Sequence, residues 1–85
     1  MLITPYWFGQ RQLKAEAAGD NDYRITGPNV PERFLGIRKA DNGYFLAYLR
    51  LQKDGDDSAT TEPRFPTAYD AWEAAFELYR ANVIS

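Results

Sequence analysis

The clearest pattern along the chain is a helical repeat of apolar side chains close to its C-terminal end. Thr67 is suited to cap a helix, and Asp70 three residues later completes a capping-box-like pattern. Apolar side chains then recur at helical spacing and form one broad stripe: Trp72, Ala75, Phe76, Tyr79 and Val83. This pattern predicts an α-helix over residues 67–82 that packs on a sheet, because a small sheet needs a covering layer.

Two strand-like runs, residues 34–39 and 44–52, precede this helix and are separated by a turn signal. Asn42-Gly43 lies between them and supplies the positive φ angles that a tight primed hairpin turn requires. Residues 59–65 predict a third strand, and the prolines within and just after this segment would confine it to an edge. The three strands and the helix therefore predict an antiparallel sheet with a helical cover.

The second of these strands is apolar or aromatic on both of its faces. Side chains alternate between the two faces of a strand. One set is expected to lie under the helix: Phe45, Ala47, Leu49 and Leu51. The other set forms the second face of the strand: Tyr44, Leu46, Tyr48 and Arg50. What this second face contacts is the main functional question that the sequence raises.

The N-terminal third of the chain is compatible with two structures. Thr4-Pro5 offers a helix N-cap and a proline at the first helical position, and Gly19 would end that helix. Residues 12–17, however, alternate strictly between polar and apolar side chains, and residues 23–26 have the composition of a strand. We favour the second structure, a hairpin of two strands.

Together the elements predict an α+β fold, in which an antiparallel sheet of three to five strands packs on one C-terminal α-helix. The length of 85 residues predicts a single small domain, residues 1–85. Within it, residues 1–32 cover or extend the sheet, and residues 33–83 supply the hairpin, the edge strand and the helix. The composition, 45% hydrophobic and 26% charged, is that of a globular chain.

The composition also limits the chemistry that the protein can perform. The chain has neither cysteine nor histidine, and it therefore lacks the thiolate nucleophile, the commonest general base and the commonest metal ligand. No glycine-rich phosphate loop occurs, and we predict no enzymatic activity, no cofactor and no small-molecule ligand. We find no signal peptide and no run of apolar residues that could cross a membrane, and we expect a cytoplasmic protein.

One acidic loop has part of the spacing of a calcium site. Asp54, Asp56 and Ser58 stand at ligand intervals. Ala59, however, stands where such a loop needs a glycine, and Phe65 stands where it needs a bidentate glutamate. We therefore predict no metal site in this loop.

Charge is distributed unevenly along the chain, although the net charge is only −2. Residues 1–32 carry a net charge of −1, residues 33–53 carry +4, and residues 54–85 carry −5. A small basic patch inside an acidic protein favours a local anion site. It is not the strongly basic composition that is typical of nucleic-acid-binding domains.

Residues 36–50, GIRKADNGYFLAYLR, resemble the first two strands of the AP2-type DNA-binding domain, whose outline is shared with the arm-type DNA-binding domains of phage integrases. The residues that carry the resemblance are Gly36-Ile37-Arg38, Gly43, Phe45 and Leu49-Arg50, followed downstream by Phe65, Thr67-Ala68 and Ala71. The similarity covers residues 34–81. It implies a three-stranded antiparallel sheet backed by a helix, a bacterial or phage origin, and a sheet face that enters the DNA major groove.

The same resemblance assigns Arg38 and Arg50 to basic positions that contact bases or phosphates. The remaining contact positions differ from those of the family: Leu35 and Ala40 stand where arginines are usual, Asn42 replaces a tryptophan, and Tyr48 replaces an acid. The third strand also lacks the arginine and tryptophan of the family pattern. The resemblance therefore indicates the strand-strand-strand-helix layout more strongly than it indicates DNA binding.

The candidate site is accordingly one face of the hairpin: Arg38, Lys39, Tyr44, Leu46, Tyr48 and Arg50. Three interpretations of it differ in what covers the aromatic side chains. The N-terminal segment could bury them, with Trp7 and Phe8 over the strip, or a second copy could do so in a homodimer. A protein partner could bind them, since Tyr and Arg are enriched in interfaces. Nucleic acid could stack on the tyrosines while the basic groups neutralise phosphates.

From these observations we predict a non-enzymatic binding or accessory module. A protein partner or a homodimer is favoured over nucleic acid, and weak AP2-like DNA binding is the alternative.

Overall fold

The computed structural model describes residues 3–84 as a five-stranded antiparallel sheet with its helices on one side. The elements, in chain order, are α1 (Tyr6–Gln10), β1 (Lys14–Gly19), β2 (Asp22–Gly27), β3 (Val30–Lys39), β4 (Phe45–Arg50), β5 (Asp57–Thr60), α2 (Ala68–Tyr79) and a π-helical turn (Arg80–Ile84). The predicted α+β fold, a sheet of three to five strands packed on a C-terminal helix, is confirmed. None of the helices among these residues is long and apolar enough to cross a membrane.

The strands follow one another across the sheet in sequence order, from β1 at one edge to β5 at the other. The hairpin of β3 and β4 is confirmed, but the predicted primed turn is wrong. The N–H of Ala40 donates to the carbonyl oxygen of Tyr44 at 2.8 Å, so the loop contains three residues, and only Gly43 among them has a positive φ, of 88°. Such a loop needs one left-handed residue after an ordinary turn, whereas a two-residue primed turn needs two.

The helix α2 begins as its sequence predicts. The Thr67 hydroxyl oxygen accepts a hydrogen bond from the N–H of Asp70 at 3.1 Å. The apolar stripe packs against β3 and β4, and its most deeply buried members are Ala71, Ala75, Phe76 and Tyr79. The main core therefore lies between this stripe and one face of the sheet.

The sheet contributes an apolar layer to that core. Its fully buried members are Ile25, Leu35, Ile37, Ala47 and Leu49, and Phe45 packs against them. Leu51 was expected in the same layer, and this prediction is wrong, because β4 ends at Arg50 and the Leu51 side chain is 52% exposed. The third strand also differs from its predicted range: it spans Asp57–Thr60, and Phe65 forms a separate bridge to Phe45.

The N-terminal third contains the predicted hairpin, formed by β1 and β2. The alternative of one helix running to Gly19 is wrong, because α1 covers only Tyr6–Gln10 and is followed by Gln12, whose φ of 58° turns the chain into β1. Pro5 precedes α1 as its N-cap residue, without a capping side-chain hydrogen bond. Residues 14–27 thus extend the sheet by two strands.

Candidate functional site

The sheet has one side that no helix covers within residues 3–84. Both helices lie on the other side, where Phe8 of α1 contacts Phe76 of α2 edge-to-face at 5.3 Å. The prediction that Trp7 and Phe8 cover the aromatic strip is therefore wrong, since Phe8 belongs to the main core and Trp7 packs against it. The same N-terminal segment contains three more apolar side chains, which the hydrophobic effect alone would bury. Of these, Leu2 lies outside the described residues, and Ile3 and Tyr6 are 70% and 81% exposed.

We define the open face as the uncovered side of the sheet. Residues opposite each other on antiparallel strands share a face, and the strand registers assign the side chains to rows. The rows are Glu16–Arg24–Phe34–Arg50–Asp57, Asp22–Gly36–Tyr48–Thr60 and Arg38–Leu46. The open face therefore extends over all five strands.

At the centre of the open face, the Tyr48 side chain lies across the sheet over Gly36. A Cβ atom at position 36 would overlap the Tyr48 hydroxyl and ring, and it would lie 2.6 Å from the carbonyl oxygen of Asn21. The absence of a side chain at Gly36 therefore allows the ring to lie close to the strand backbone. As a result Tyr48 is only 6% exposed, although no helix within residues 3–84 covers it.

Two arginines complete the burial of this ring. The guanidinium carbons of Arg38 and Arg50 lie 5.1 and 4.5 Å from the centroid of the Tyr48 ring, within the range of cation–π contacts. The same two guanidinium groups donate to one carboxylate, that of Asp57 on β5, at 2.7 and 2.8 Å. Tyr48, the arginines and Asp57 therefore form a layered cluster on the sheet, which we name the Tyr48 cluster.

The electrostatics of the Tyr48 cluster follow from these contacts. Partial burial acts to raise the pKa of Asp57, but the hydrogen bonds and charges of Arg38 and Arg50 outweigh it and lower the pKa below its ordinary value. The hydrogen bond to Asp57 in turn raises the pKa of Arg50. Desolvation raises the pKa of the Tyr48 hydroxyl, so this phenol is neutral at physiological pH. The cluster is thus two cations held by one anion over a neutral ring.

Asp22, at the start of β2, is the least satisfied group on this side of the sheet. Its Oδ1 atom is buried and has no hydrogen-bond partner within residues 3–84. Desolvation raises its pKa, although the charges of Arg50 and Lys53 and a backbone hydrogen bond act in the opposite direction. At neutral pH the ionised Asp22 side chain therefore makes the fold less stable than a protonated Asp22 side chain would.

A second charged group lies on the open face beside the Tyr48 cluster. Arg24 on β2 donates to Glu16 at 2.6 Å and lies 3.7 Å from a carboxylate oxygen of Glu32. Phe34 lies opposite both Arg24 and Arg50 in the sheet and is only 6% exposed. Because no helix reaches this side, the aliphatic parts of the neighbouring long side chains account for its burial.

The structure brings together four of the six residues that the sequence suggested as a site. Arg38, Leu46, Tyr48 and Arg50 share the open face. Lys39 lies on the opposite face, with its Nζ atom 5.9 Å from the centroid of the Phe45 ring. Tyr44 lies in the turn region, 46% exposed, where its N–H donates to the Asn42 side chain.

Two important residues were missed by the sequence reasoning. Asp57 was placed in an acidic loop, but it is the first residue of β5 and lies opposite Arg50. Gly36 was noted only for its place in the resemblance to the AP2-type domain. Strand alternation places Gly36 on the same face as Arg38, but the pairing of Gly36 with Tyr48 follows from the three-residue loop and not from the two-residue turn that the sequence predicts. Nothing in the sequence placed Asp57 beside β4.

A second surface feature lies on the helical side of the molecule. A groove of about 1210 Å³, which we name the helix groove, runs along α2 and is lined by aromatic and acidic side chains that include Tyr23, Tyr69, Trp72 and Glu73. Tyr23 and Trp72 meet there edge-to-face at 5.3 Å, and Tyr69 is 62% exposed. The lining of the helix groove contains neither arginine of the Tyr48 cluster.

Comparisons with known proteins do not assign this chain to a family. No family model, no curated protein and no solved structure matches it. The resemblance to the AP2-type domain therefore stays a prediction. Among residues 3–84, no group of three or more acidic side chains is arranged to hold a metal ion.

Replacement of Gly36 tests the packing of Tyr48 on the sheet. We expect Gly36→Ala to lower the free energy of unfolding by about 1–3 kcal/mol, because the added methyl group must displace the ring or the backbone. Urea unfolding followed by tryptophan fluorescence measures this change. Gly9→Ala is the matched control, since a Cβ there meets nothing within 4 Å, and it should be neutral or slightly stabilising. Equal stability of the two variants would show that Gly36 does not set the ring position.

Replacement of Asp57 tests the ionic part of the Tyr48 cluster. Because the pKa of Asp57 is lowered in the folded state, its contribution to stability is present above the unfolded value of about 3.9 and is lost as the pH falls through the folded-state pKa. We expect Asp57→Asn to lower the free energy of unfolding by about 1–2 kcal/mol at pH 7.

The difference in the free energy of unfolding between Asp57→Asn and the wild type should then become smaller as the pH is lowered below about 4. Urea titrations at a series of pH values measure it. Asp54→Asn is the control, because Asp54 is an exposed acid of the adjoining loop and forms no ion pair with any residue between 3 and 84. A destabilisation by Asp57→Asn that is independent of pH would contradict the ionic explanation.

Proposed function

We propose that this protein is a small non-enzymatic module that binds a protein partner through the open face of its sheet. The observation that carries the proposal is the Tyr48 cluster, in which Arg38, Arg50 and Tyr48 are held in fixed positions on a side that no helix of the described residues covers. Arg is among the residue types that are enriched in binding hot spots, and the Tyr48 ring sets the positions of both arginines. We also propose a cytoplasmic location, as the sequence predicts.

The hydrogen-bonding capacity of the Tyr48 cluster supports this proposal. Arg38 uses one Nη2 donor and Arg50 uses its Nε donor for Asp57, and their other N–H groups have no acceptor within residues 3–84. These donors suit a carboxylate or a backbone carbonyl group of a partner. Because the side chains are already ordered, a partner would meet a smaller entropic cost than with free arginines.

The charge of the open face favours a protein over a polyanion. The arginines of this face alternate with carboxylates, since Asp57 serves Arg38 and Arg50 while Glu16 and Glu32 flank Arg24. Binding of a phosphate backbone depends on cations that can neutralise it, and nearby carboxylates oppose that contact. A protein surface of mixed charge meets no such penalty.

A pair of matched substitutions tests which surface binds the partner. Leu46 is a partly buried apolar residue of the open face, and Tyr69 is an exposed residue of the helix groove. We expect Leu46→Lys to reduce recovery of the captured partner about tenfold or more, and Tyr69→Lys to leave it unchanged. The measurement is affinity capture from an extract of the source cells, treated with nuclease and quantified by mass spectrometry.

Circular dichroism would first establish that both variants fold as the wild type does. Loss of the partner with Tyr69→Lys alone would move the binding site to the helix groove. Equal recovery with all three proteins would refute binding at either surface.

The alternative proposal is weak AP2-like DNA binding. One observation favours it: β3, β4, β5 and α2 follow in the order that the resemblance implies, and Arg38 and Arg50 lie on the side opposite α2. Against it, the Asp57 carboxylate offsets part of the positive charge of both guanidinium groups, and the Tyr48 ring is covered by them, so that it has no free face on which a base could stack.

An NMR titration separates the two proposals. Isotope-labelled protein would be mixed with a duplex oligonucleotide at low salt and again at moderate salt. We expect at most small amide shifts at Arg38, Tyr48 and Arg50 at low salt, and their loss at moderate salt, because a few partly neutralised cations release few counterions. Shifts at these residues that persist at moderate salt would overturn the preference for a protein partner.

A further inference from the structure

The two edges of the sheet differ in how well they are protected from pairing with another strand. The edge strand β5 has four residues and a register shift, and Pro63 follows it closely, and all three features discourage further pairing. The other edge strand, β1 (Lys14–Gly19), has no proline, and its own register shift lies between Ala17 and Gly19, so that residues 14–17 pair regularly with β2. Within residues 3–84, no backbone hydrogen bond joins β1 to any segment other than β2. The outer edge of β1 therefore leaves backbone donors and acceptors free to pair.

Charges on the open face alternate toward this edge. Glu32 lies near Arg24, Arg24 is bonded to Glu16, and Glu16 lies on β1, where the row ends. On a strand added beside β1, the residue opposite Glu16 would therefore favourably be a cation, because Glu16 is a carboxylate. Lys14 is the exposed cation of the same strand and the same face, two residues from Glu16, and it has no ion pair within the described part of the chain.

We propose that two copies of this chain pair through β1, antiparallel and centred on Ala15, to form one continuous sheet. In this register Lys14 of one copy lies opposite Glu16 of the other, and the two-fold symmetry repeats the contact. The charge row then continues across the interface from Arg24 to Glu16 to the Lys14 of the second copy. This inference is independent of the protein partner proposed above, since it uses the edge of the sheet and leaves the open face uncovered.

The register follows from excluding its neighbours. The two-fold axis that relates two antiparallel strands is perpendicular to the sheet, so it keeps every side chain on its own face. Because residues opposite each other also share a face, the axis must pass between two copies of the same residue. Centring on Lys14 would place Lys14 opposite itself, and centring on Glu16 would place Glu16 opposite itself, so both registers oppose like charges. On the other face of the strand, Ala15 and Ala17 are small and leave room for the second copy.

The dimer has one geometric consequence for the open face. Because antiparallel strands in one sheet are related by an axis perpendicular to it, the two open faces lie on the same side of the dimer. The paired segment is short, residues 13–17 of each copy, and we therefore expect a dimer whose population depends on concentration in the micromolar range or above.

A charge-swap experiment tests the interface. The wild-type chain, Lys14→Glu and Glu16→Lys would each be studied by sedimentation equilibrium over a wide concentration range. Each variant alone puts like charges across the edge, and we expect its dissociation constant to rise about tenfold or more. An equimolar mixture of the two variants restores opposite charges at both contacts, and a heterodimer should form with an affinity near that of the wild type.

Lys39→Glu is the control, because it makes the same change of charge on an exposed residue of β3, and it should dimerise as the wild type does. Circular dichroism of each variant would establish that all of them are folded. A wild-type chain that is monomeric at every concentration would overturn the proposal. A wild-type dimer that neither single variant weakens, or a mixture that fails to form the heterodimer, would overturn it as well.

Discussion

The packing of Tyr48 against Gly36 is the contact on which the open face depends. Because Gly36 has no side chain, the ring lies down on the sheet and does not project into solvent. The ring then forms the surface on which the guanidinium groups of Arg38 and Arg50 rest, and Asp57 holds both of them. When helices cover only one side of a sheet, the other side faces water and its apolar side chains need another cover. Here two guanidinium groups over an aromatic ring provide that cover, and no second helical layer is present within residues 3–84.

The distribution of charge in space differs from its distribution along the chain. Residues 33–53 form the most basic segment and residues 54–85 the most acidic, and the sequence therefore indicates a separate basic patch. In the folded protein the acidic segment supplies Asp57 directly to the arginines of the basic one. The patch is thus partly neutralised by a strand that lies next to it in the sheet, which explains why the count of charges along a segment overstates its attraction for anions.

The parts of the fold that could be predicted were those in which several local signals agree. The helix α2 has a cap, an apolar stripe and a sheet to cover, and the hairpin of β3 and β4 has strand-like apolar runs on both sides of a turn glycine. The position of Phe8 could not be predicted in the same way, because an apolar segment of eight residues can cover either face of a sheet, and only the tertiary contact with Phe76 decides between them. The exposure of Leu51 has a similar cause, since alternation predicts which face a residue lies on but not where the strand ends.

The position of Asp57 has a consequence for how steady the charge of the open face is. Asp57 is the first residue of β5, a strand of four residues at the edge of the sheet. Short edge strands open locally more readily than the strands of a core, at a free energy below that of global unfolding. Each such opening withdraws the carboxylate that Arg38 and Arg50 share, so fluctuation of a single short strand changes the electrostatic potential of the surface without any change of pH or covalent structure. The local stability of β5 therefore sets how long both arginines stay paired with Asp57.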